Sequence, residues 1–121
     1  MYSVIRFSDR EGDDNYLMVL GERINELMPG TFEGLDRVPH QFSCSISVRD
    51  NWDEHAAEIV SSVETLSPVI ADAREQGIGI EIDTQIGIED YESEPISVFI
   101  LRPKMMKALW EQGILFLFSV Y

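Results

Sequence analysis

Ile78-Gly79-Ile80-Glu81-Ile82-Asp83-Thr84-Gln85-Ile86-Gly87-Ile88-Glu89 is the stretch whose reading decides the fold. Isoleucine holds the even positions 78, 80, 82, 86 and 88. Gly79, Glu81, Asp83, Gln85, Gly87 and Glu89 hold the odd ones. A repeat of two is the repeat of a strand, whose side chains alternate between the faces of a sheet. The stretch therefore predicts a strand with one apolar face packed on helices. Its acidic face, with Glu81 and Asp83, points to solvent or to a partner. Tyr91 to Glu94 follows as an acidic turn, and Pro95 opens a further strand over Ile96–Leu101.

Upstream, the pattern alternates between strand and helix. Tyr2–Phe7 reads as a strand, and Ser8 to Asn15 as a polar turn in which Asp14 or Asn15 caps a helix. Leu17, Leu20, Ile24, Leu27 and Met28 recur at intervals of three and four, a helical stripe that ends at Pro29-Gly30. Phe42, Cys44, Ile46 and Val48 alternate with Ser43, Ser45 and Ser47, which predicts a half-buried strand with small polar residues outside. Asn51 with Glu54 three residues later forms a capping-box pattern. The helix behind it carries Ala56, Ile59, Val60, Val63 and Leu66, then Val69, Ile70 and Ala73 beyond an interruption at Ser67-Pro68. Pro103 suits the first turn of a short helix bearing Met105, Met106, Leu109 and Trp110, closed by Gly113. Ile114–Tyr121 is a last strand.

The expected order is β-α-β-α-β-β-α-β in one α+β domain over residues 1–121, with a mixed or antiparallel sheet and helices mainly on one face. The strands at 96–101 and 114–120 are apolar on both faces, a pattern that belongs in the centre of a sheet. At 121 residues the chain is long enough to bury roughly two-thirds of its unfolded surface.

Composition narrows the function. Twenty-two acidic residues against nine basic ones give a net charge of −13. That disfavours nucleic acid, which demands a basic stripe, and an anionic membrane surface. No apolar run reaches the roughly 18 residues of a membrane span, and the first residues are too polar for a signal peptide. The lone cysteine, Cys44, sits on an apolar strand position and reads as packing in a reduced, cytoplasmic setting. His40 and His55 stand in no nucleophile–base pattern, and no serine lies in a Gly-x-Ser-x-Gly elbow.

No metal or cofactor motif is present either. Asp9 to Asp14 lacks the spacing of a calcium loop, and Gly77 and Gly79 open a strand instead of a phosphate-cradling helix. Asp50, Asp53, Glu54 and Glu58 are the acidic first turns that a helix dipole favours.

The charge is also segregated. Residues 1–101 carry 21 acidic and 6 basic residues, whereas the last twenty carry Arg102, Lys104 and Lys107 against Glu111 alone. From Glu81 to Glu94 there are six acidic residues and no basic one. Such a surface either solvates the protein or steers a basic partner toward it. The candidate partner-binding residues are Glu81, Asp83, Glu89, Asp90, Glu92 and Glu94, with Trp52 and Tyr91 as aromatic anchors.

The ending PISVFILRPKMMKALWEQGILFLFSVY, with Leu101-Arg102-Pro103, Leu109, Gly113-Ile114 and Tyr121, resembles the close of a family of small bacterial α+β domains of unknown biochemical role. Ser43–Val48 leading into the helix from Asp53, and Leu66-Ser67-Pro68, fit the same pattern, so the resemblance spans about residues 42–121. Those domains are associated with immunity proteins of polymorphic toxin and contact-dependent growth inhibition systems. The resemblance implies a cytoplasmic, non-enzymatic inhibitor that binds one toxin domain, often a basic nuclease, and needs no cofactor. It brings no catalytic residues. A homo-oligomer is compatible with the sequence. The alternative is a small-molecule-binding domain or assembly subunit whose acidity serves solubility.

Overall fold

The computed structural model describes residues 1–87 and 99–120. Strand β1 (Tyr2–Ser8) leads to helix α1 (Asp14–Leu27), strand β2 (Gln41–Val48), helix α2 (Trp52–Thr65), helix α3 (Ser67–Glu75) and strand β3 (Gly79–Ile86). Helix α4 (Pro103–Glu111) and strand β4 (Leu115–Val120) close the chain. The sheet order is β2-β1-β3-β4, with β1 antiparallel to both neighbours and β3 parallel to β4. The domain is thus α+β with a mixed four-stranded sheet.

Local chemistry sets the boundaries. Asp13, one residue before either cap expected from the sequence, accepts the Tyr16 N–H at 3.0 Å and starts α1. Asn51 does the same for Glu54 at 3.1 Å and starts α2. At the Ser67-Pro68 interruption a new helix begins with Pro68 in its first turn. Leu66 occupies the cap position, and the Ser67 hydroxyl accepts from the Gln112 side chain at 3.0 Å.

One core joins the helices to the sheet. Ile5 and Phe7 of β1, Phe42 and Cys44 of β2, and Ile80 and Ile82 of β3 meet Leu17, Leu20 and Ile24 of α1, Ile59 and Val63 of α2, Ile70 of α3, and Met105 and Leu109 of α4. In β3 the isoleucines and Thr84 are buried while Gly79, Glu81 and Gln85 are less covered, as the alternation demands.

Phe32 shows how tightly the loop between α1 and β2 is held. Its backbone N–H and C=O both pair with the Asn25 side chain at 2.9 Å. Its ring lies edge-on to Phe42 and fills the space over Gly21, where a Cβ would stand 2.3 Å from the ring. Gly21→Ala is therefore expected to destabilise the protein by about 1–3 kcal/mol through overpacking. That outweighs the roughly 1 kcal/mol gained in helix propensity, and a urea midpoint above that of the wild type would contradict this packing.

The structure also corrects the reading of the last two expected strands. β4 is apolar on both faces yet, among the described residues, lies at the edge of the sheet, not in its centre. Phe99–Leu101, the described end of the strand expected over Ile96–Leu101, is not a strand. The rest of the expected strand, Ile96–Val98, and the acidic turn at 91–94 lie outside the described residues.

Candidate interaction surface

Glu81 and Asp83 face outward from β3, but they are not free charges. Arg6 stands opposite Glu81 on β1 and pairs with it at 2.5 Å, with its second nitrogen 3.9 Å from Asp83. Ser119 on β4 donates to the Asp83 carboxylate at 2.8 Å, and the Asp83 side chain is only 11% exposed. The expectation that Asp83 points into solvent is corrected here. Being between two strands, it is enclosed by cross-strand neighbours on its own face, which alternation within one strand does not show.

Trp52 does not stand out as an anchor. It is half-buried, donates its indole N–H to the Ile100 carbonyl at 2.9 Å, and packs against Phe99 and Phe118 at 5.4 and 5.6 Å between ring centres. Glu89, Asp90, Tyr91, Glu92 and Glu94 lie outside the described residues.

Free negative charge concentrates instead on the helices. Glu22 and Glu26 on α1, Asp50 before α2, Glu54 and Glu64 on α2, and Glu75 on α3 are exposed. None of them has a cationic partner within ion-pair distance among the described residues. α1 and α3 are tied together by Arg23 to Asp72 at 2.7 Å, and the Tyr16 hydroxyl reaches the Asp72 carbonyl at 3.3 Å. The Tyr16 phenol is raised above its ordinary pKa, first by burial and then by the nearby Asp72 and Glu75 charges, with Arg23 opposing.

The outer stripe of α1 mixes these acids with exposed apolar groups, Met18 and Val19. Positions 15, 18, 19, 22 and 26 share one helical face, so apolar and acidic side chains form a single strip. The sequence signal for this strip was Val19, an apolar residue off the Leu17–Leu20–Ile24 stripe.

The other end of the molecule differs. α4 buries Met105 and Leu109 but exposes Met106 and Trp110, Trp110 to 86%. Between α2 and the start of α4 lies a groove of about 290 Å³, lined by Ala56, Val60 and Met105, with Asp53 and Glu64 facing it beside Arg102 and Lys104.

Beneath the sheet lies a sealed polar cluster that the sequence did not announce. The β1–β2 register shifts between Ser3 and Val4, an irregularity that turns Ser47 inward next to Ile46. Ser47 Oγ lies 2.8 Å from His55 Nδ1, Ser3 Oγ lies 2.6 Å from His55 Nε2, and Ser3 Oγ also lies 2.6 Å from Thr84 Oγ1. Ser3, His55 and Thr84 are wholly buried and Ser47 nearly so.

A serine within hydrogen-bond reach of a histidine is the makings of a nucleophile–base pair. Here burial closes every member off from a substrate. Burial also lowers the His55 pKa to about 4, aided by the charge of the chain's N-terminus and opposed by Glu58. The ring is therefore neutral at pH 7. The spacing signal was present: His55 lies four residues before Ile59, on the buried stripe of α2.

Cys44 is buried, and burial raises its thiol pKa to about 12, with Asp36 adding to the shift and Thr31 opposing it. At pH 7 it is a packing group, not a thiolate. Among the described residues no group of three or more His, Cys, Asp or Glu side chains is placed to hold a metal ion, and no helix is long and apolar enough to cross a membrane. No family model, no curated protein and no solved structure matches the chain.

Proposed function

We propose that this protein is a non-enzymatic, cytoplasmic immunity protein that binds a basic toxin domain, most simply a nuclease, and neutralises it. The observation that carries the reading is the strip on α1 where Met18 and Val19 stand beside Glu22 and Glu26, next to the acidic α3. A solvated face needs only charge. A docking face combines an apolar centre with charge that steers the encounter. A nuclease is basic because it holds phosphates, so its inhibitor gains from a surplus of exposed carboxylates.

In this reading the helices cover one face of the sheet and present their outer side to the toxin. Glu89, Asp90, Glu92, Glu94 and Tyr91 belong to the proposed partner-binding set on sequence grounds. Glu81 and Asp83 contribute less, since Arg6 offsets one of their two charges. The groove between α2 and α4 favours the alternative, a small-molecule-binding domain.

The test is association rate against ionic strength, with the cognate toxin domain as the partner. Exposed charges are screened beyond about 8 Å at physiological salt, so raising salt is expected to slow association far more than it speeds dissociation. The triple variant Glu22→Gln, Glu26→Gln, Glu75→Gln is expected to associate at least several-fold more slowly at low salt. Each change should alter stability by less than about 0.5 kcal/mol. A flat salt dependence, or a triple variant that binds and protects cells as the wild type does, would sink the proposal.

A further inference from the structure

We propose that His55 is a pH-sensitive latch. With its ring neutral it fastens the first turns of α2 to the sheet, and protonation lets that end of the helix, with Trp52, come off Ile100 while the rest of the fold stays closed. The latch works whatever the acidic helices bind.

Three features of the buried cluster carry it. First, His55 alone docks this end of the helix. Between Asn51 and Glu58 it is the one buried residue, whereas Trp52, Ala56 and Glu58 are half-buried and Asp53, Glu54 and Ala57 are exposed. Its ring nitrogens reach Ser3 on β1 and Ser47 on β2, and Ser3 in turn reaches Thr84 on β3. Apolar burial takes over only from Ile59 onward. A segment with so few buried apolar contacts opens at lower cost than the fold as a whole.

Second, the cluster has no acceptor to spare. The Glu58 carboxyl is held below its ordinary range first by the Arg49 guanidinium and further by the Ser47 hydroxyl. The Ser47 proton therefore goes to Glu58, and Ser47 Oγ accepts from His55 Nδ1–H. Nε2, left bare, accepts from the Ser3 hydroxyl, and Ser3 accepts from Thr84. Every group in the run from Thr84 to Glu58 then donates once. The reverse direction would leave the Thr84 hydroxyl with no acceptor among the described residues. A second ring proton breaks the run. Nε2–H must then donate to Ser3, and the hydroxyl proton of Ser3 or of Thr84 is left buried without an acceptor. That orphaned donor and the desolvated imidazolium both favour the open form, in which water meets them.

Third, the surroundings neither hold the charged ring nor isolate it. The chain's N-terminal ammonium, ahead of β1, opposes a charge on His55, and Glu58 on α2 favours one. Arg49, just past β2, is taken up by Glu58. On β3, Asp83 lies on the other face of the sheet from Thr84, with Arg6 and Ser119. β4 has no charged residue. On α2 itself Asp53 and Glu54 are exposed, Asp53 beside Arg102. Trp52 carries the change outward. Its ring centre lies 6.0 Å from that of His55, its indole N–H holds the Ile100 carbonyl, and it packs on Phe99 and Phe118. Asp53 and Ala56, which line the groove toward α4, move with it.

The experiment is native-state hydrogen exchange of the full chain by NMR at pH 7 and pH 5, with and without low urea, each rate corrected for the intrinsic effect of pH. The reporters are the His55 and Ala56 amides and the Trp52 indole N–H. The Leu20 and Ile24 amides of α1 are the reference. The reporters are expected to lose protection by about tenfold or more at pH 5, because the open form takes up the proton that the closed form refuses. They should respond little to urea, as a local opening does, whereas the reference responds strongly, as global unfolding does.

In His55→Gln the reporters are expected to lose this pH dependence. Should that variant not fold, the imidazole nitrogen shifts of the wild type decide, with Nδ1 protonated and Nε2 bare at pH 7. The reverse tautomer overturns the proposal, because a second proton, on Nδ1, would then pass to Ser47 and Glu58 and orphan no further hydroxyl. So do reporters whose protection does not change with pH, or that open only together with α1 and with its urea response. A pH dependence that survives in the folded glutamine variant overturns it as well.

Discussion

Ile82→Ala is expected to cost about 2–5 kcal/mol, read as a lower urea midpoint with unchanged slope. Ile82 is fully buried at the centre of the sheet, opposite Ile5 on β1 and Phe116 on β4. Removing three carbons there loses their transfer free energy and leaves a cavity, and a domain of this size has only about 5–15 kcal/mol to lose. Its neighbour provides the contrast. Glu81→Ala removes a partly exposed ion pair with Arg6 and should cost less than about 1 kcal/mol. Asp83→Ala should fall between them, since it strips the Ser119 hydroxyl of its acceptor in a covered site. Equal midpoints for the Ile82 and Glu81 variants would contradict the register of β3.

Acidification is expected to weaken the fold well before the carboxylates titrate. His55 has its pKa lowered to about 4 in the folded protein, against 6.5 ordinarily. Between those values the unfolded chain takes up a proton that the folded one refuses, so stability is full above about pH 6.5 and falls as pH drops toward 4. At 1.36 kcal/mol per pKa unit, the loss between pH 7 and pH 4.5 comes to about 2 kcal/mol. His55→Gln keeps hydrogen-bonding capacity without a titrating group. Urea midpoints for this variant should be nearly flat over the same interval. Glu58, lowered by its bond to Arg49, contributes only below the ordinary carboxylate range and does not confuse that window. A wild-type midpoint that is also flat would show that His55 is charged inside the fold or reaches water.

What the sequence disclosed was local. The isoleucine alternation fixes which side of β3 is buried, and the stripes of α1 and α2 fix most of the core, because those periods belong to one element at a time. What it did not disclose depends on neighbours distant in the chain. Ser47 reads as an outward residue until the β1–β2 register shifts and turns it toward His55. Asp83 reads as exposed until Arg6 and Ser119, 77 and 36 residues away, close over it. β4 reads as central because side-chain character does not reveal how many strands lie beyond it. The candidate surface was harder still. Total charge pointed to a basic partner, but which carboxylates remain free is decided by where the few arginines land.

The place of β1 in the middle of the sheet also sets a schedule for synthesis. β1 is made before both of its partners, and the one on one side, β2, is complete by residue 48. Its partner on the other side begins only at residue 79. At about 5–20 residues per second, the inner edge of β1 waits roughly 2–6 s for β3 to emerge. Throughout that interval Ile5 and Phe7 have the apolar face of α1 within reach but an open hydrogen-bonding edge beside them. The nascent chain is then most exposed to mispairing, and a holding chaperone would find its target in β1.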